Sequence, residues 1–326
     1  MLSRVAHSIY WVGRYLERAE NVARIVDVNL NLMLDLAETA NKEQWAPLVQ
    51  TSGDAALFAE RYKTPTRDNV IWFLTFDPAN PNSILSCVTA ARDNARRVRE
   101  IISSEMWEQL NTYYHMVRDA ARDSEALPAH NEFYARVKLE SHLFNGIADA
   151  IMSHDEAWHF LRVGSLLERA DKTSRILDVK YYILLPDISE VGGAFDNIQW
   201  AALLKSASAN EMYRKRYRQL SSAKIVGFLL LDQDFPRAVR HCVMQAEGGL
   251  RVISGSPPGS FGNAAERALG RLAAELNYAK VDEIIAGGLH EYLDNLQAAL
   301  NRASGAVFDT FFSQRPKGRR RERHQP

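Results

Sequence analysis

Apolar residues recur along most of the chain at intervals of three and four, the period of an amphipathic α-helix. The first helix is predicted from Ser3, a residue type that favours helix N-caps, to about Ala40. Further helices are predicted at about 43–62, 67–76, 82–103, 105–125 and 131–153. The second half adds 155–185, 196–220, 222–232, 235–254, 261–278 and 280–312. Because strand-like alternation is scarce between these segments, the sequence predicts an all-α protein.

Two segments of the chain are versions of one motif. Residues 13–29 read GRYLERAENVARIVDVN and residues 164–180 read GSLLERADKTSRILDVK, with nine identities in seventeen positions. A second match relates residues 73–96 to residues 228–251. Because a duplicated unit repeats its order of helices, we expect a pseudo-symmetric helical bundle made of two diverged copies of a roughly six-helix unit. The expected parts are 1–153, the first copy; 154–313, the second copy, packed with the first into one body; and 314–326, a basic disordered tail.

Composition narrows the class of protein. The chain is 46% hydrophobic and 25% charged, which is ordinary for a globular protein. Its formal net charge is zero, and because the tail is basic, the rest of the chain is slightly acidic. This balance argues against nucleic-acid binding by the body, although the tail alone could touch nucleic acid or acidic lipid.

The location of the protein is predicted from features that the sequence lacks. No segment approaches the roughly 20 apolar residues of a membrane span, and the N-terminus has no signal-peptide pattern. Cys87 and Cys242 are isolated, as is typical of buried thiols in a reducing compartment. We therefore expect a cytoplasmic protein that does not bind a membrane.

Charged residues of the repeated motif share one narrow face of the first helix. Their spacing predicts that Arg24 pairs with Glu17 and Glu20, and also with Asp27. These charges match between the copies although apolar neighbours have changed, which a merely solvated face does not explain. We interpret the face as semi-buried, either an architectural network or a binding site between the copies. The candidate binding or interaction residues are Glu17, Arg18, Glu20, Arg24, Asp27, Glu168, Arg169, Asp171, Arg175 and Asp178.

Two other patterns could carry chemistry. Glu156 and His159 form an ExxH pair, but a carboxylate-bridged di-metal bundle needs two such pairs and the first copy has no equivalent. A basic run at residues 92–99, Arg92, Arg96, Arg97 and Arg99, could contact phosphate or carboxylate, although a solvated face is the favoured interpretation. The sequence identifies no catalytic residue, no metal ligand and no cofactor-binding residue.

The motifs together resemble a known family. YLERAENVARIVDVN, its echo LLERADKTSRILDVK, and ARDNARRVREIISSEMWEQLN at 91–111 are similar to the bacterial alpha-E family, an all-helical group named for a Glu-Arg motif. That motif corresponds to Glu17-Arg18 and, through the repeat, to Glu168-Arg169. The resemblance implies a partner, because alpha-E proteins are typically encoded beside, or fused to, a circularly permuted ATP-grasp ligase. A transglutaminase-like protein is often encoded nearby.

The leading hypothesis is an accessory helical protein that acts with the ATP-grasp ligase in peptide synthesis or modification. It would bind the ligase or its peptide substrate. One alternative is a free-standing enzyme that uses Glu17 or Glu168 as an acid–base residue. A metal-carboxylate helical bundle is the third hypothesis.

Overall fold

The computed structural model describes residues 1–36, 45–122, 130–183 and 194–313, and within these ranges every regular element is helical. The first half contains α1 (Ser3–Leu36), α2 (Ala46–Ser52), α3 (Ala55–Arg61), α4 (Arg67–Thr75), α5 (Ile84–Arg96), α6 (Ser104–Arg122) and α7 (His130–Ile151). The second contains α8 (Glu156–Ile183), α9 (Ala194–Ser206), α10 (Asn210–Tyr217), α11 (Ser222–Leu231), α12 (Val239–Ser254), α13 (Ala264–Tyr278), α14 (Val281–Ala286), α15 (Leu289–Val307) and a π-helical turn (Phe308–Phe312). The predicted all-α class is confirmed. The last residues of the first predicted helix and the basic tail lie outside the described ranges.

The two longest helices, α1 and α8, pack against each other at the centre of the protein. On one side α1 packs on α5 and α7, and on the other α8 packs on α12 and α15. The short helices cross over, so that α2 contacts α8 and α9 contacts α1. The apolar stripe predicted for the first helix lies in this core: Ile9, Val12, Leu16, Ala19, Ala23, Val26 and Leu30 are all buried.

Two glycines bring the backbones of α1 and α8 into direct contact. A Cβ atom on Gly13 would lie 2.2 Å from the carbonyl oxygen of Leu161, and one on Gly164 would lie 2.2 Å from that of Tyr10. Only glycine allows this approach, since the obstacle is backbone in both cases. The residues in contact advance together along both helices, so α1 and α8 run in the same direction.

Three predicted helices are each divided in two, so the described ranges contain seven α-helices in the first half and eight in the second instead of about six in each. The segment 43–62 stops at Gly53 (φ 87°) and the segment 196–220 stops at Ser208 (φ 50°). The segment 280–312 stops before Gly288 (φ 98°). Positive φ ends a right-handed helix, and a periodicity argument does not detect a residue that adopts it.

The structure contains no helix, within the ranges it describes, that is long and apolar enough to cross a membrane. Cys87 and Cys242 are unpaired and buried, as predicted. Burial raises the pKa of each thiol to about 12, so both are protonated at neutral pH.

The glycine contact predicts the effect of a single methyl group. Gly13→Ala forces α1 and α8 apart and should lower the free energy of unfolding by about 3 kcal/mol or more, because the clash is with backbone. Urea denaturation measures this loss. Gly146→Ala on α7 is the matched control: nothing lies within 4 Å of its Cβ position. That change should raise stability by about 0.5–1 kcal/mol through helix propensity. Equal effects of both changes would contradict the close approach.

Candidate functional site

The Glu-Arg steps of the two central helices form reciprocal ion pairs one turn beyond the glycine contact. Arg169 donates to both oxygens of Glu17, at 3.0 Å from Nε and 2.7 Å from Nη2. Arg18 donates to both oxygens of Glu168, at 2.7 Å and 2.9 Å. Each Glu-Arg step thus gives one carboxylate and one guanidinium to the other helix. Both glutamates are only 1% exposed, so the pairs are held inside the protein.

Further cations complete a first network around Glu17 and Glu20. Arg237, from the loop before α12, donates to Glu17 at 3.0 Å and also contacts Glu20. Arg24 contacts Glu20 from one turn further along α1. His142 on α7 lies 3.1 Å from the same carboxylate and is the exposed member of the group.

A second network surrounds Glu168 and Asp171 on α8. Arg14 donates to Glu168 at 2.9 Å, and Lys172 lies 3.8 Å from the same residue. Arg175 donates to Asp171 at 2.9 Å. Like the first network, the second buries carboxylates among an excess of cationic groups, so no carboxylate is left without a counter-charge.

At two equivalent positions, a cation in one network corresponds to an asparagine in the other. Asn21 in the first is matched in the repeat by Lys172 in the second, whereas Arg237 in the second half is matched by Asn82 in the first. Asn21 donates to Glu17 at 3.0 Å, and Arg18 donates to Asn82 at 2.6 Å. Each network therefore has one cation and one amide at this pair of positions, although the cation comes from a different element.

The pKa values of the buried carboxyl groups show that their cations outweigh the cost of burial. Burial acts to raise the pKa of Glu17, but the guanidinium groups of Arg169 and Arg237 bring it below its ordinary value. Burial also acts to raise the pKa of Glu168, but Arg18 and Arg14 lower it by more, so that it lies below its ordinary value. Both groups are therefore ionised at neutral pH and fully engaged. An acid–base role would require one of them to leave its guanidinium partners.

The aspartates that end the two motifs lie apart from the buried networks. Asp27 accepts from Lys138 of α7 at 2.7 Å. Asp178 lies 2.7 Å from Nδ1 of His290 on α15. The hydrogen bond to Asp178 raises the pKa of His290 above its ordinary value. A cation from the adjacent helix thus faces the aspartate in both halves when His290 is protonated.

The predicted pairings are correct only in part. Arg24 pairs with Glu20 as predicted. The predicted pairs of Arg24 with Glu17 and Asp27 are wrong, because these carboxylates pair with cations from other helices, Arg169 and Lys138. Sequence reasoning also missed Arg237. Its only signal is its place directly after Pro236, which the repeat aligns with Pro81; a loop position gives no helical face from which to infer a partner.

The ExxH pair is not assembled into a group of ligands in the described residues. Glu156 instead accepts from the N-terminal ammonium group at 2.7 Å. The described residues that do cluster are Asp178, His290 and Asp294. One ligand atom from each of the three lies within 4.8 Å of the other two, and the two ring nitrogens of His290 face different aspartates, at 2.7 Å and 3.5 Å.

A cavity of about 240 Å³ lies between α1 and α9. It is mostly apolar, with Asn31 and Lys205 as its polar residues. None of the candidate residues of the Glu-Arg motifs lines it. The lining residues are Val28, Asn31, Leu32, Ile198, Ala201, Ala202 and Lys205.

Comparison with known proteins gives the chain a family. A family described as a predicted alpha-helical domain with a conserved ER motif, Alpha-E, matches residues 1–312. This chain belongs to the Alpha-E family. In this Alpha-E protein, the reciprocal pairs of Glu17-Arg18 and Glu168-Arg169 give a Glu-Arg motif a physical role: it joins the two central helices.

The curated relatives of this Alpha-E protein are much longer than the chain itself. Uncharacterized proteins of Mycobacterium bovis and Mycobacterium tuberculosis are each 23% identical to it over 328 residues, which is 94% of this chain and 36% of theirs. A further Mycobacterium tuberculosis protein is 22% identical over the same lengths. The chain therefore spans about a third of each relative. No solved structure matches it.

The buried pairs of the Alpha-E protein predict a large and non-additive loss of stability. Glu17→Gln leaves Arg169 and Arg237 buried beside a neutral amide and should lower the free energy of unfolding by about 3–5 kcal/mol. The double variant Glu17→Gln/Arg169→Gln should lose less than the sum of the single losses. Glu283→Gln, whose exposed partner Lys280 lies 3.2 Å away, should cost under about 1 kcal/mol. Additive losses in urea denaturation would contradict the pairing.

The contact between His290 and Asp178 predicts a pH dependence of stability. Because Asp178 raises the pKa of His290 in the folded state, its contribution is complete below the unfolded value of 6.5 and is lost as pH rises through the folded value. The difference in unfolding free energy between wild type and His290→Gln should therefore shrink as pH rises above 6.5. Asp178→Asn should remove the dependence as well. A difference that is constant with pH would show that His290 is neutral throughout.

Proposed function

We propose that this chain is an accessory helical protein that works in the cytoplasm with an ATP-grasp ligase in ATP-dependent peptide synthesis or modification. The observation that carries the proposal is the length of its relatives, because nearly the whole chain matches only about a third of each mycobacterial protein. A helical unit that works beside other domains would give this relation. The alpha-E resemblance supplies the kind of partner, the ligase and a transglutaminase-like protein.

In this proposal the chain is a pseudo-symmetric body of two diverged copies, held together by the buried networks. The supporting contacts are reciprocal: Gly13 and Gly164 approach each other's helices, and the two Glu-Arg steps exchange charges. A rigid body of this kind suits a subunit that positions a ligase or a peptide. The buried glutamates then stabilise the packing of the two central helices, and partners bind at the surface of the protein.

Two members of the networks remain open to solvent and would make the contact. The side chain of His142 is 55% exposed beside Glu20, and that of Arg175 is 24% exposed beside Asp171. Arg175 has a guanidinium group that could donate hydrogen bonds to a carboxylate of the ligase or of its peptide. The repeat matches Arg175 with Arg24, whose side chain is only 7% exposed and pairs with Glu20 inside the protein.

The proposal is tested by reconstitution with an ATP-grasp ligase from the same organism. Size-exclusion chromatography should show a complex with near-equal amounts of both proteins, and product formation with a peptide substrate should rise at least tenfold when the chain is added. Arg175→Ala should weaken the complex about tenfold, the equivalent of about 1.4 kcal/mol. Arg302→Ala, an exposed arginine of α15, is the matched control and should leave binding unchanged.

Two results would contradict the proposal. The ligase could form its product at the same rate with and without the chain and form no complex with it. Alternatively, the isolated chain could turn over a peptide by itself, with loss of turnover in Glu17→Gln at a pH and temperature where that variant is folded. The second result would favour the free-standing enzyme.

A further inference from the structure

An arrangement of arginine and aromatic side chains covers one face of α6. The zeta carbon of Arg92 lies 5.5 Å from the ring centre of Trp107 and 4.7 Å from that of Tyr114. Arg99, in the turn after α5, lies 4.8 Å from the ring centre of Trp107. Trp107, Asn111 and Tyr114 are spaced by four and three residues, so they share a face of the helix.

The guanidinium group of Arg92 is held in place with donors to spare. Its Nε donates to Asn111 at 2.6 Å, and the rings of Trp107 and Tyr114 lie beside the group. Within the described residues, its terminal nitrogens have no hydrogen-bond partner. A guanidinium group that is held by a hydrogen bond and two ring contacts, and that has free terminal nitrogens, is suited to bind a carboxylate because little side-chain freedom is lost on binding.

The basic run around Arg92 lacks counter-charges in the structure. Among the described residues, no carboxylate lies within 4.0 Å of the basic groups of Arg92, Arg96, Arg97 or Arg99. Glu105 and Glu108 are nearby in sequence and exposed, but they too stay beyond ion-pair distance of these groups. The four arginines therefore keep their charge available.

In the second half of the chain, the helix equivalent to α5 is α12, and its arginine at the position of Arg96 has a counter-charge. Through the repeat, Arg96 corresponds to Arg251 of α12, and Arg92 corresponds to Glu247. Arg251 contacts Glu247 in an ion pair one turn apart. Arg97 and Arg99 correspond to a valine and a serine. At these equivalent positions, the first half leaves its arginines without an ion pair, whereas Arg251 in the second half has one.

We propose that this face, the arginine–aromatic face of residues 92–114, binds an acidic peptide segment of a partner protein. The fork of Arg92 takes one carboxylate, and Arg99 and Arg96 attract neighbouring ones. Trp107 and Tyr114 offer ring surface to the apolar parts of the peptide. Several separate cations alongside rings suit a chain with spaced carboxylates better than a single compact phosphate. The proposal does not depend on the ATP-grasp ligase.

The test uses the full chain and a fluorescent octapeptide of glutamate, with binding followed by anisotropy. Because the basic tail would also attract this probe, all proteins carry Arg319, Arg320 and Arg321 changed to Gln. The probe should bind, and Arg92→Gln/Arg99→Gln should weaken it about tenfold. Raising the salt concentration should weaken binding as well. A glutamine octapeptide should not bind.

The repeat provides a matched control at equivalent positions. Arg96→Gln should weaken the glutamate probe, whereas Arg251→Gln should leave its affinity unchanged because that arginine is already paired. Circular dichroism checks that each variant is folded. The proposal is overturned if the probe does not bind, or if Arg251→Gln weakens it as much as Arg96→Gln. It is also overturned if inorganic phosphate or a thymidine oligonucleotide binds this face more tightly than the glutamate peptide.

Discussion

Direct contact between the backbones of two long helices is the constraint on which the rest of this structure depends. Gly13 and Gly164 allow α1 and α8 to approach until neither position has room for a Cβ atom. One turn further along, the closeness of the helices withdraws the carboxylates from water, and Glu17 and Glu168 are 1% exposed. A buried carboxylate is tolerated only with a counter-charge. The Glu-Arg step solves this for both helices at once, because each helix supplies the cation that the other needs.

The requirement that each buried carboxylate has enough counter-charge explains which residues vary between the halves. The cation beside the reciprocal pair is Arg237 in the first network and Lys172 in the second. The position equivalent to Arg237 in the other half is Asn82, and the position equivalent to Lys172 is Asn21. Two cations at one of these sites would repel each other, and two amides would leave a buried carboxylate underpaired. The charge of the site is therefore constrained more tightly than the identity of any one residue in it.

Much of the fold could be predicted from the sequence, because helical period and repetition are local signals. The candidate site could be predicted only in part. Periodicity placed Glu17, Glu20 and Arg24 on one face, and Arg24 does contact Glu20. It could not show that Arg169 and Arg237 reach Glu17 from other elements, because such contacts depend on how helices pack. The breaks at Gly53 and Ser208 were missed for a related reason, since a positive φ angle is fixed by tertiary contacts as much as by residue type.

Charge on the surface obeys a different rule from charge in the core. Inside, each network has one cation and one asparagine at the two equivalent positions. On the surface, Arg92 corresponds to Glu247 in the second half, and no other described residue offsets this difference in charge. The arginines of α5 therefore have no ion pair at positions where α12 has one. A solvated charge costs little in stability, so folding alone neither demands nor removes this difference. Arg92 and Arg99 nevertheless make three contacts with the rings of Trp107 and Tyr114, which hold their guanidinium groups beside α6. Arginines that are held beside aromatic rings at the surface and lack a counter-charge are suited to bind an anionic partner.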